Sequence, residues 1–140
     1  MVRARFQTQP QPHMATPHRF PKNAPGDFYS MGDCMACGAP ELQAPELLAP
    51  LGGDNHYTYF VRQPETPEEV ERACRALESC CVRELRYGGS DPAILRRLGN
   101  DPEHCDRVLP GGPVPRPDWM KEIREAAARP RKRWWRFWRR

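Results

Sequence analysis

No stretch of this 140-residue chain is long and apolar enough to cross a bilayer, and its first thirty residues hold no apolar core of the kind a secretory signal needs. The expected compartment is therefore the cytoplasm, where thiols stay reduced. In that setting the six cysteines read as metal ligands or free thiols rather than as a disulfide framework. Lysine is missing from residues 23–107 altogether. Eight Arg stand there against fifteen Asp and Glu, a net charge of −7. The overall formal charge of +4 hides this, because basic residues gather at the ends: Arg3, Arg5, Arg19 and Lys22 at one, seven between Arg129 and Arg140 at the other. An acidic middle suits a carrier that docks transiently on basic partner proteins by electrostatic steering, and equally a solvated face with no such role. Also lacking is any Cys-His or paired-carboxylate constellation whose spacing would place it in one cleft, so nothing in the sequence points to an enzyme.

With 39% hydrophobic residues, a mean hydropathy of −0.83 and 17 prolines, the chain cannot be packed core throughout. One small monomeric module with extensions is the economical reading. Residues 1–21, rich in Gln, Pro and Arg without period, read as a disordered arm within which Met14 is a second candidate start. Residues 22–107 form the module, 108–117 a Pro/Gly linker, 118–129 a short helix capped by Asp118, and 130–140 a tail. That tail interleaves six cations and three of the four Trp between Arg131 and Arg140. Such a segment suits an anionic membrane surface, with rings at headgroup depth and cations on phosphates. Stacking on single-stranded nucleic acid and an idle solvated tail are the other readings.

The expected fold class is α+β, with short strands and one long helix. Thr66 is an N-cap, Pro67 stands at the first helical position and Glu69 completes a capping box. Val70, Ala73, Cys74, Leu77 and Cys81 follow at helical spacing, so a helix is expected from Pro67 to about Ser79 with Cys74 pointing inward. Strands are expected at Phe28–Met31, at His56–Arg62 and at Glu84–Tyr87. In the second of these, Tyr57, Tyr59 and Val61 share one face, and Thr58 and Phe60 the other. The turn Gly52-Gly53-Asp54-Asn55 leads into it, and Pro45–Leu48 reads as a short turn of helix before that. Asp91-Pro92 opens a short helix through Leu98 that Gly99 stops. His104 and Cys105, a further pair of ligand types, are expected at the surface.

The organising stretch is Gly26-Asp27-Phe28-Tyr29-Ser30-Met31-Gly32-Asp33-Cys34-Met35-Ala36-Cys37-Gly38-Ala39-Pro40, where two thiols separated by two residues can turn toward one metal. Iron and zinc both suit such a pair, and so does a redox dithiol. Asn23, Pro25, Gly26, Phe28, Tyr29, Cys34, Cys37, Ala44 and Pro45 fall in place in the pattern N-x-P-G-x-F-Y-V-x-x-x-C-x-x-C-x-x-C-x-x-x-A-P-x-x-F, with Leu48 at the last Phe. On these residues the chain resembles the small bacterial and archaeal ferredoxins that carry one iron-sulfur cluster. A second match follows: Tyr57 to Gln63-Pro64, then Thr66-Pro67-Glu68-Glu69 and a helix ending in Cys80 and Val82, where the family delivers its remote ligand. The two matches span roughly residues 22–90. Pro40 stands at the family's third cysteine, and Cys81 at the proline that follows the remote ligand.

The resemblance implies a ferredoxin-like module and an electron-transfer protein with one cluster, four-iron or three-iron, held by Cys34, Cys37 and Cys80 and working with redox partner proteins. Since Pro40 cannot ligate, that corner falls to Cys74, to an external ligand or to no iron, and the cluster is expected to be labile in air. The alternative is a degenerate ferredoxin fold acting as a structural or interaction module. It is either empty or holds zinc through Cys34, Cys37, Cys80 and one of Cys74, Cys81 or His104.

Overall fold

A computed structural model describes residues 18–33 and 35–130. Cys34, the arm through residue 17 and the tail from Arg131 lie outside the described residues. The described chain is a small α+β fold. In order it runs β1 (Phe28–Ser30), α1 (Ala39–Gln43), α2 (Pro67–Ser79), β2 (Leu85–Tyr87), α3 (Pro92–Arg97) and α4 (Trp119–Ala128). The two strands are antiparallel, pairing Phe28 with Tyr87, Tyr29 with Arg86 and Ser30 with Leu85.

Among the described residues, one edge of β1 meets no strand. Its polar backbone groups are taken instead by two side-chain amides. Gln63 accepts from the Phe28 N–H (3.0 Å) and donates to the Phe28 carbonyl (2.9 Å). Asn23 accepts from the Ser30 N–H (3.1 Å) and donates to the Ser30 carbonyl (2.8 Å). Asn23 also accepts from the Phe60 N–H at 3.1 Å, so it ties β1 to the segment that was expected to be a strand. This corrects the expectation for His56–Arg62. The segment is extended but forms no ladder, only an isolated antiparallel bridge between Leu48 and Phe60. Its alternation still holds in part, because Thr58 and Phe60 are buried whereas Tyr57 and Val61 are exposed.

Helix α2 is the scaffold. Thr66 caps it by accepting from the Glu69 N–H at 3.2 Å, and Pro67 occupies its first turn. The Glu69 carboxylate reaches back one residue further than a capping box requires, accepting from the Glu65 N–H at 2.8 Å and from Arg62. Ala73, Cys74, Ala76 and Leu77 form the inward stripe. They pack with Leu47, Leu48, Phe60, Phe28, Leu85, Tyr87, Leu95 and Leu98 into one core, in which the Phe28 ring lies 4.9 Å from Tyr87 and 5.8 Å from Phe60. The helix stops at Ser79. Cys80 is extended (φ −68°, ψ 114°) and Cys81 is exposed, so Cys81 does not continue the inward stripe as its spacing suggested.

Two further expectations change. Residues 45–48 do turn, with Leu47 and Leu48 both donating to the Ala44 carbonyl, but the helix of this region is α1, begun at Gly38 and carrying Pro40 buried in its first turn. His104 and Cys105 are buried rather than at the surface. The cause is a long-range anchor: Arg86 pairs with Asp106 at 2.6 Å and donates to the carbonyls of Pro102, Glu103 and Cys105, while the Tyr29 hydroxyl donates to Asp106 at 2.5 Å. Tyr87 completes the attachment by donating to the His104 carbonyl and accepting from the Asp106 N–H.

The ends of the module are tied down as well. Arg19 lies 4.0 Å over the Tyr29 ring, and Phe20 stacks on Tyr57 with centroids 5.0 Å apart. The Pro/Gly segment after residue 107 is held by Asn100, whose amide donates to the carbonyls of Leu109 and Gly112 and accepts from the Leu109 N–H. Asp118 caps α4 as expected, accepting from the Lys121 N–H at 3.1 Å. The Trp119 indole then donates to Glu78 on α2, and Arg75 sits over its ring.

Candidate metal centre

Two chain segments meet at the cysteines. The first is the loop leaving β1. Gly32 turns it at φ +87°, where a side chain would meet the Phe20 ring at 2.9 Å, and Ala36 adds a second left-handed residue at φ 53°. Gly38, left-handed at φ 76°, then hands the chain to α1. The loop presents Cys37 to solvent, flanked by exposed Met35 and, one turn into α1, exposed Leu42. The second segment is the turn that ends α2. The Cys80 N–H donates to the Leu77 carbonyl, the Arg83 N–H donates to the Cys80 carbonyl, and Arg83 is left-handed at φ 54°. This turn projects Cys81 outward while Cys80 stays buried at the margin of the core.

The sulfurs of Cys37 and Cys81 are 3.9 Å apart, with the Cys81 thiol donating to Cys37. That hydrogen bond raises the Cys81 thiol above its ordinary range, with burial and the neighbouring Cys37 and Cys80 sulfurs adding to the effect. Two thiolates on one tetrahedral metal with bonds of about 2.3 Å lie about 3.8 Å from each other. The separation found between Cys37 and Cys81 is thus close to one edge of a metal's coordination shell.

The remaining candidates are placed differently. Cys74 is fully buried in the core, and burial pushes its thiol up to about 12. The charged groups that act on it are Arg97, Glu71 and Glu78, all on the α2–α3 side. Burial likewise lifts Cys105, to about 11. His104 is held neutral by burial, and its Nδ1 has no hydrogen-bond partner among the described residues. Cys34 lies outside the described residues, and among those described no three Cys, His, Asp or Glu side chains gather closely enough to hold a metal ion on their own.

The helical spacing placed Cys81 on the inner face of α2, while the ferredoxin resemblance gave Cys80 the ligand role there. The signal that could have corrected this is local: two adjacent cysteines followed by Val82-Arg83 at a helix end, where the second is free to turn outward. The described cysteines form no disulfide with one another. No helix among the described residues is long and apolar enough to cross a membrane. No protein-family model, curated protein or solved structure matches the chain significantly.

Proposed function

We propose that the chain is a ferredoxin-like electron-transfer protein in which Cys34, Cys37 and Cys80 anchor one iron-sulfur cluster. The observation that supports this reading most is the meeting of the β1 loop with the end of α2 at Cys37 and Cys81, 3.9 Å apart. These are the two segments that the ferredoxin resemblance pairs, and they are distant in sequence. A bound cluster would supply one-electron chemistry. The chain's own contribution is mechanical and electrostatic. Cys80 is buried as part of the core that also holds Phe28, Leu77 and Leu85, while Cys37 faces solvent, where a partner can approach. Met35 and Leu42 give that approach an apolar rim, and the −7 charge of residues 23–107 steers it toward basic partners.

Zinc is the second reading, favoured by one specific observation: 3.9 Å is the spacing of two thiolates sharing a single tetrahedral metal. A zinc-held module of this size would serve as a structural or interaction domain. Metal and acid-labile sulfide analysis on anaerobically purified full-length protein separates the readings. Iron and sulfide in equal amounts, with a brown colour, support the cluster. Zinc without sulfide supports the second reading, and a protein that takes up neither after anaerobic reconstitution contradicts both.

A further inference from the structure

We propose that Cys37 and Cys81 form a reversible dithiol–disulfide pair, a site of thiol oxidation that latches the loop after β1 to the turn that ends α2. The two residues are 44 positions apart in sequence, yet the fold holds their sulfurs 3.9 Å from each other, with the Cys81 thiol donating to Cys37. No metal is needed for the pairing.

Three observations carry it. Both side chains are exposed, so a small oxidant reaches either sulfur, and rotation about the side-chain bonds brings the sulfurs toward the disulfide length of about 2.05 Å without moving packed atoms. The meeting of the two thiols is built into the fold. Helix α1 begins just after Cys37 and packs against α2, whose end carries Cys81. Left-handed Ala36 and Gly38 shape the backbone around Cys37, and left-handed Arg83, with its N–H bonded to the Cys80 carbonyl, shapes the turn around Cys81. The remaining described thiols are closed to an oxidant, because Cys74, Cys80 and Cys105 are all buried.

The oxidant is a low-molecular-weight disulfide of the glutathione class. One protein sulfur gives up its proton and attacks the small disulfide, which releases one small thiol and leaves a mixed disulfide on the protein. The second protein sulfur then displaces the other small thiol. Two S–H bonds and the small S–S bond break, the Cys37–Cys81 S–S bond forms, and the two protons and two electrons leave on the two released thiols. Excess small thiol runs the exchange backwards. A sulfur held in a disulfide is no longer a thiolate ligand. On the reading above that Cys37 holds a metal, and resting on it, oxidation withdraws that ligand and metal loading waits for reduction.

The test uses full-length protein freed of metal by a chelator, incubated with excess oxidised glutathione, alkylated with iodoacetamide and mapped by mass spectrometry. The parent should lose about 2 Da, the mass of two thiol hydrogens, and yield linked peptides containing Cys37 and Cys81. Dithiothreitol should reverse both changes. Cys37→Ser and Cys81→Ser should each keep a glutathione on the thiol that remains, and Cys74→Ala should behave as the parent does. Peptides linking Cys34 to Cys37 in place of Cys37 to Cys81 overturn the proposal. So does glutathione on both thiols without an internal bond, or a parent in which both thiols are still alkylated. Should either serine variant not fold, the peptide map of the parent decides alone. Reconstitution with iron and sulfide, or with zinc, then tests the consequence for loading: the oxidised parent should take up no metal until it is reduced. An oxidised parent that loads as fully as the reduced one overturns the control of loading. A parent that takes up no metal in either state removes the metal reading and leaves the linked pair standing.

Discussion

Replacing Arg97 by Met should destabilise the module more than any other single charge removal. Arg97 extends from α3 and donates to both oxygens of Glu71, each at 2.7 Å, and to Glu78 at 2.5 Å. Its side chain is 15% exposed and that of Glu78 only 7%. Glu78 also receives the Trp119 indole N–H, so one guanidinium ties α2 to α3 and, through Glu78, to α4. Methionine keeps most of the aliphatic stem but leaves a nearly buried carboxylate without its cation, for which the cost is about 3–5 kcal/mol. The low end applies, because Glu71 retains Arg75 at 3.0 Å and Glu78 retains Trp119. Against a total stability on the order of 5–15 kcal/mol this is a large share. Urea denaturation followed by far-UV circular dichroism should show the midpoint falling with an unchanged slope. The corresponding Arg62→Met change breaks a pair that is 41% exposed on the arginine side, where water screens the charges, and should cost much less. Adding Glu78→Gln to Arg97→Met should recover part of the loss, since an amide carries no unpaired charge. A loss for Arg97→Met no larger than that for Arg62→Met would refute the reasoning. It would mean that water already screens this pair.

Three other expectations follow from the same geometry. Thr66→Ala removes the oxygen that caps α2 and should cost about 1 kcal/mol, read as a lowered urea midpoint. Hydrogen bonding from Arg62, helped by the Glu65 N–H, holds the Glu69 carboxyl down at about 2. Because that value lies below its ordinary 4.5, the stabilisation is complete above that range and drains away as pH falls toward 2. The parent's melting temperature should accordingly drop more steeply over that interval than that of Glu69→Gln, and parallel profiles would count against the pairing. Removing residues 131–140 takes away six cations and three Trp, each cation worth roughly 1 kcal/mol near an anionic surface. Truncation should abolish co-sedimentation with phosphatidylserine vesicles and leave the urea midpoint unchanged.

Local chemistry was legible in the sequence, and long-range pairing was not. Helix α2 could be read to the residue because Thr66, Pro67 and the Ala73–Leu77 stripe are properties of the helix itself. The caps of α3 and α4, Asp91 and Asp118, were legible for the same reason. The segment His56–Arg62 has the alternation of a strand, yet the place a strand would take beside β1 is held by the Asn23 and Gln63 amides, which no period reveals. Burial of His104 and Cys105 depends on Arg86 finding Asp106 across the fold. At the candidate site, the loop thiols announced themselves by spacing. The partner of Cys37 became visible only once α2 was seen to stop at Ser79 and release Cys81 from its face.

Whether this thiol site carries electrons is decided by a potentiometric titration of the anaerobically reconstituted full-length protein, followed by visible absorbance and electron paramagnetic resonance. One reversible one-electron transition is expected within the range of about −700 to +450 mV open to such clusters, present in the parent and in Cys74→Ala and lost in Cys37→Ser. A protein that binds its metal through these cysteines but shows no reversible transition would contradict the electron-transfer reading.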